Sequence, residues 1–154
     1  MPINIKNFLL SKNKKSKIGD FQDLEHIDGV AISVISANLY KESRDDLVLF
    51  YFRDAANYAS VYTQSKIISE NIKWNLAINT NSIKALLVNT GNANAFTGKL
   101  GFRGITQIAE DLSKRLTVKM SEDEEEKNSV KSREVLFGST GTIGEIFPVE
   151  KIKK

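Results

Sequence analysis

The sequence has no cysteine, a single histidine and only two prolines among its 154 residues. Without cysteine there are no disulfides, no thiol catalysis and no zinc site built on sulfur. Any histidine-based dyad or triad must use His26, which lies in a polar stretch with no motif around it and is read as a surface or packing residue. Long apolar runs are missing too. The longest, residues 47–52, is far short of the ~20 residues a bilayer-spanning helix needs, and residues 1–10 hold only a fragment of an apolar stretch before lysines interrupt it. No secretory signal is expected there. Charged residues at 27% and a mean hydropathy of −0.26 exclude a membrane protein and a disordered chain alike. The expectation is a soluble, cytoplasmic chain with one compact domain, residues 27–154, behind an irregular basic lead-in at residues 1–26.

The net charge of +3 is unevenly spread. Lys6, Lys12, Lys14, Lys15 and Lys17 place +5 in the first seventeen residues with no acid among them, which leaves −2 on the rest. A nucleic-acid binder needs a basic stripe on a folded face. These lysines show no helical or alternating period and read as a solvated tail, so neither nucleic acid nor membrane is expected as a partner. Asp45 and Asp46 read as a charged turn, and the acidic run at residues 122–126 lacks the spacing and glycine of a calcium loop. No metal is expected.

What is present is a series of short apolar segments. Residues 29–37 (Val30, Ile32 and Val34 alternating with Ala31, Ser33 and Ile35) read as a well-buried strand, and residues 47–52 as a second. A short polar connection joins them, the pattern of an antiparallel hairpin. Residues 58–62 suggest a weaker third strand. Residues 66–79 fit a short helix or a strand, because Ile72, Trp74, Leu76 and Ile78 alternate while Ile68, Ile72 and Leu76 also share a helix face. Residues 83–88 form a buried strand. Within residues 101–118, Ile105, Ile108, Ala109, Leu112 and Leu116 make one stripe at a 3.6-residue period, with Glu110 and Lys114 able to pair on the other face. Residues 121–128 read as a solvated acidic turn and 134–137 as another strand. Pro148, placed at a first helical position before Glu150, starts a helix that the chain follows for barely one turn, which suggests truncation. Tyr51, Tyr62 and Trp74 are expected in the core. The order implies a mixed α/β (α+β) fold, a layered sandwich of sheet and helices.

Two glycine-rich loops each follow a strand and precede a helix. The first is Asn89-Thr90-Gly91-Asn92-Ala93-Asn94-Ala95-Phe96-Thr97-Gly98; the second is Gly138-Ser139-Thr140-Gly141-Thr142-Ile143-Gly144. Freed backbone N–H groups in such loops stabilise negative charge. Neither loop ends in the Gly-Lys-Ser/Thr of a P-loop, and the dinucleotide spacing of glycines is absent. A developing oxyanion in acyl transfer is the other candidate, with the Thr140 hydroxyl and the Gly141 N–H as its two donors. Taken alone, such clusters are more often ordinary turns.

These two strings, Leu87-Val88 leading into the first and Glu145, Pro148 and Glu150-Lys151-Ile152 following the second, resemble the N-terminal half of the ornithine acetyltransferase (glutamate N-acetyltransferase) family of arginine biosynthesis. The resemblance runs over roughly residues 27–152 and extends to residues 29–37 and 59–66. It implies a partial copy of a self-processing, N-terminal-nucleophile-like acetyltransferase fold. In that family a precursor cleaves itself before a threonine. The freed threonine takes an acetyl group from N-acetylornithine and passes it to glutamate, and some members also use acetyl-CoA as co-substrate; no other cofactor is implied. A free α-amino group with a pKa near ~8 can serve such a threonine as base. The family's oxyanion hole maps onto Thr140 and Gly141, while Asn89, Thr90, Gly91 and Asn94 map onto a segment that is structural or lines the active site.

The departures are equally specific. The sequence contains no Ala-Thr dipeptide, the family's processing point. The nucleophile, a substrate-binding lysine just upstream of the cleavage site and the second (beta) chain are therefore missing, and family enzymes are hetero-oligomers. Three readings follow: a truncated acetyltransferase or gene remnant, a subunit whose partner chain is separately encoded, or a non-catalytic interaction domain of the same fold. The first two imply a chain inactive alone. Because this half packs against the other chain in the family, the isolated chain is expected to aggregate or to need a partner, rather than to melt as a monomer above ~60 °C.

Overall fold

The computed structural model describes residues 26–120 and 129–154; most of the basic lead-in and the acidic turn at residues 121–128 lie outside the described residues. Four strands form one sheet in the order β1-β2-β3-β4: β1 (Val30–Ile35), β2 (Leu47–Asn57), β3 (Ser82–Asn89) and β4 (Val135–Ser139). The first two pair antiparallel, as expected of the hairpin, with Ile32 opposite Phe50 and Val34 opposite Val48. β2 pairs antiparallel with β3, and β3 runs parallel to β4. A parallel pair needs a long crossover, and the long helix α2 (Gly98–Met120) supplies it. A shorter helix, α1 (Glu70–Ala77), precedes β3, and a single turn, α3 (Val149–Ile152), closes the described chain.

Alternation along the strands sorts side chains onto two faces. Ala85 and Val135 share one face with Leu87 and Phe137, and Tyr51 and Leu49 lie beside them on β2. Against this face packs the apolar stripe of α2: Ile105, Ile108 and Ala109 are buried, with Leu112 and Leu116 at their border. The stripe read from the sequence is the one that builds the core. Truncating Ile105, fully buried, costs about 2–5 kcal/mol in sites of this kind. Gly104 lets Phe147 and Val149 close on the same helix, since a Cβ there would stand 2.7 Å from Val149 Cγ2.

The opposite face is also apolar. One row across all four strands is Ile32, Phe50, Leu86 and Leu136; the next is Val34, Val48, Val88 and Gly138. None of these residues belongs to the core cluster around α2. Most are half-buried, and Ile32 is 47% exposed.

Several local expectations are corrected. For residues 66–79 the helix alternative holds, as α1 within that segment, begun by Ser69, whose hydroxyl accepts from the Ile72 N–H at 3.4 Å. Residues 58–62 form no strand. Instead β2 itself runs on through a bulge between Tyr51 and Ala56, where Ala55 has φ +60°, and its ladder ends at Tyr58 N–H donating to Asn81 O. Trp74 is buried and Tyr51 packs on the core, whereas Tyr62 is half-buried outside it. On α2 the ion pair joins Asp111 to Arg115 at 2.7 Å, not Glu110 to Lys114. Pro148 caps α3 rather than sitting inside its first turn.

Helix α1 lies along the free edge of β4. Trp74 Nε1 donates to the Val135 carbonyl at 2.9 Å, and the Asn75 amide donates to Phe137 O at 2.9 Å while accepting from Phe137 N at 3.0 Å. A side-chain amide thus takes the place of a neighbouring strand and satisfies backbone groups that an edge leaves open.

Candidate functional site

Both glycine-rich loops leave the same end of the sheet, because β3 and β4 are parallel neighbours. They stay paired beyond the strands. Thr140 N donates to Asn89 O at 3.1 Å, Thr142 N to Gly91 O at 3.2 Å, and Ala93 N to Thr142 O at 2.9 Å, with Asn92 and Thr142 bridged in parallel. Ser139 Oγ donates to Ala93 O at 2.8 Å, and Gly144 N to Ala95 O at 2.8 Å. The contact is close enough to demand glycine at position 141. Its φ is +132°, and a Cβ there would fall onto the Gly91 carbonyl carbon and the Asn92 nitrogen.

Thr140 and Gly141 stand exposed at this junction. Among the described residues, neither the Thr140 hydroxyl nor the Gly141 N–H has a hydrogen-bond partner. Adjacent, solvent-facing and uncommitted, the two donors suit an oxygen that acquires negative charge.

The first-loop candidates divide. Thr90 and Gly91 lie beside the pair, and Thr90 Oγ1 is buried without a hydrogen-bond partner among the described residues. Asn89 and Asn94 are buried and committed to hydrogen bonds that hold the loop in place. Asn89 Nδ2 donates to Asn92 O at 2.8 Å, and Asn94 Nδ2 to Asn71 Oδ1 at 2.9 Å. Thr97 Oγ1 donates to Asn94 Oδ1 at 2.7 Å, and Glu70 N donates to Asn94 O at 2.9 Å. Asn94 therefore ties the loop to the starts of α1 and α2, away from Thr140. The second loop does not run straight into a helix: residues 145–148 intervene, held where Asn92 Nδ2 donates to the Glu145 and Ile146 carbonyls at 3.3 Å.

The sequence reading missed Asp46. Taken as a turn acid, it is 2% exposed, its carboxylate accepting from Ala37 N at 2.6 Å and Leu39 N at 2.7 Å. Its own carbonyl accepts from Thr90 N at 2.9 Å. It thereby holds the β1–β2 connection against the first loop, where Tyr40 comes within 3.2 Å of a Cβ placed on Gly91 and carries the Arg44 guanidinium 4.2 Å above its ring. An acid just before an apolar strand gives no local sign of burial.

The sequence profile described as "ArgJ family" matches residues 31–154, including both loops. The chain belongs to the ArgJ family. Among its relatives, the "Arginine biosynthesis bifunctional protein ArgJ" of Caulobacter vibrioides is 33% identical over 136 residues, covering 86% of this chain and 31% of that protein. Its namesake from Bradyrhizobium diazoefficiens is 34% identical over 124 residues, covering 80% and 27%. The chain thus spans about 30% of the length of the ArgJ relatives it matches. Two solved structures share the fold over 82% of this chain. The ArgJ protein of Bacillus halodurans matches with a TM-score of 0.69 and 26% identity, over 60% of its chain; the ornithine acetyltransferase of Mycobacterium tuberculosis, complexed with ornithine, matches with 0.72 and 24%, over 63%. The sheet and helices described above are a partial copy of that ArgJ fold. No helix among the described residues is long and apolar enough to cross a membrane.

Proposed function

We propose that this chain supplies the oxyanion-stabilising part of an acetyltransferase that moves an acetyl group from N-acetylornithine to glutamate in arginine biosynthesis. The attacking threonine belongs to polypeptide this chain does not contain. The observation that carries the reading is the exposed, unpaired Thr140 hydroxyl beside the unpaired Gly141 N–H, fixed by paired loops in an ArgJ-family chain. When a hydroxyl attacks the acetyl carbonyl, its oxygen gains charge. Two donors already aimed at that charge lower the barrier without reorganising, and losing one costs about 2.7–4 kcal/mol in enzymes generally.

Residues 138–144 around Thr140 hold no titratable base to activate its hydroxyl, and His26 lies far along the chain from either loop. The chain alone is therefore expected to be inactive. The test is acetyl transfer from N-acetylornithine to glutamate, measured for the purified chain and for the chain co-produced with the part of the Caulobacter vibrioides relative that follows the matched segment. Activity confined to the pair supports the reading. Turnover by the chain alone that survives Thr140→Ala overturns it.

A further inference from the structure

We propose that the free edge of β1 is where a second copy of this chain adds, strand to strand about a two-fold axis, so that two four-stranded sheets join into one. The proposal goes beyond the acetyl-transfer reading and does not depend on it.

β1 has the sequence of an interior strand in an edge position. Its residues, Val-Ala-Ile-Ser-Val-Ile, carry no charge and no proline, the composition expected of a well-buried strand. Instead Ala31, Ile32, Ser33 and Ile35 are exposed. On the α2 side a cavity of about 150 Å³ is lined by Ser33, Ile35, Ile108 and Leu112, so the helix does not close over the strand. Sheet edges are ordinarily blunted by charge, proline, a bulge or a covering element. The opposite edge follows that rule, since the Asn75 amide occupies the Phe137 backbone groups of β4. Along the edge of β1, among the described residues, only Val30 N is taken up, donating to Ile27 O at 3.2 Å.

The hydrogen-bond geometry selects the occupant. Arg53 N donates to Gly29 O at 2.8 Å, which fixes the parity of the ladder: Ala31, Ser33 and Ile35 turn their backbone groups to β2, and Ile32 and Val34 turn theirs outward. An antiparallel copy with its Val34 opposite Ile32 meets every one of these groups, and the axis repeats the pairing. Ile32 and Val34 also head the apolar rows of the open face, which then run on into the rows of the copy. Charge at the ends of the strand agrees. Asp28 lies beside its start, and Lys151 lies near its end, where Nζ donates to Asn38 O at 2.7 Å. Antiparallel pairing brings the acid end of each copy to the lysine end of the other.

The register is testable because the chain has no cysteine of its own. Ser33 falls on the axis, opposite Ser33 of the copy in a non-hydrogen-bonded pair. Cα atoms of such a pair stand about 4.5 Å apart, within the span that a disulfide bridges. Ala31 falls opposite Ile35 of the copy, and Lys114 lies exposed on α2. The Ser33→Cys, Ala31→Cys and Lys114→Cys chains are treated with oxidised glutathione, and the covalent dimer is followed on non-reducing gels. Sedimentation velocity gives the mass of the parent and of Ser33→Lys, with folding checked by circular dichroism. The parent is expected to be a dimer. Ser33→Cys should cross-link at least about tenfold faster than either other variant, because pairing raises the effective concentration of the two sulfurs. Ser33→Lys should be a folded monomer, since its two ammonium groups meet directly across the axis. A monomeric parent overturns the proposal. So does a dimeric parent in which Ser33→Cys cross-links no faster than Lys114→Cys, because another surface then joins the copies. Faster cross-linking of Ala31→Cys than of Ser33→Cys overturns the two-fold register.

Discussion

At the scale of single residues, the site depends on groups with opposite sequence signatures. The Gly-Ser-Thr-Gly-Thr string carrying Thr140 and Gly141 stands out because it follows a strand and resembles a known family, although a cluster of this kind taken alone is more often an ordinary turn. Asp46 was not legible, since its burial comes from the β1–β2 connection folding back over it, which local composition does not encode. Its carboxylate accepts two short backbone hydrogen bonds in a site sealed from water. Hydrogen bonds to a charged group contribute about 1.5–3 kcal/mol each. Asp46→Ala is expected to destabilise the fold by about 3 kcal/mol or more in urea unfolding, and Asp46→Asn by less, because the amide keeps one accepting oxygen. Equal stability of Asp46→Ala and the parent would show that the connection stands without it.

The elements differ in how far the sequence announces them. Helix α2 was readable because its five-residue stripe matches one period, and that stripe is the core. Helix α1 was ambiguous, as Ile72, Trp74, Leu76 and Ile78 fit both periods. What settles it is tertiary: Trp74 Nε1 and the Asn75 side-chain amide find hydrogen-bond partners on the edge of β4. Asn75→Ala removes both amide bonds to Phe137 and reopens that edge. An apparent loss of about 1–3 kcal/mol is expected, together with faster amide exchange at Phe137 and growth of light scattering on storage. The strand expected at residues 58–62 was absorbed into β2, whose bulge at Ala55 let it run on to Asn57. Beside that bulge, burial raises the Tyr51 phenol above its ordinary value of 10.0, helped by Asp54 and opposed by Arg53. A raised phenol stabilises the fold fully below the unfolded value and loses that contribution as pH climbs through the folded one. Stability should therefore fall more steeply above pH 10 in the parent than in Tyr51→Phe, followed by unfolding across an alkaline pH series. Parallel curves would remove Tyr51 from that account.

For the whole molecule, the sequence conveyed the fold class and the hairpin, but not that its sheet has one face occupied and one face apolar and open. That asymmetry comes from strand register, which pattern alone cannot assign until the pairs are known: a shift of one residue exchanges the faces. The same register brings the two loops to one end of the sheet and aligns the open rows with Thr140. The open apolar face and the exposed Thr140–Gly141 pair thus both follow from one register.

The most direct measurement of that account is the kcat of the assembled pair, parent against Thr140→Ala, for acetyl transfer from N-acetylornithine to glutamate. Thr140 is exposed, and its hydroxyl makes no hydrogen bond among the described residues. The account predicts a melting temperature unchanged to within ~0.5 kcal/mol of stability and a kcat lower by about 10²–10³. A kcat within about threefold of the parent would place the oxyanion elsewhere and contradict the account.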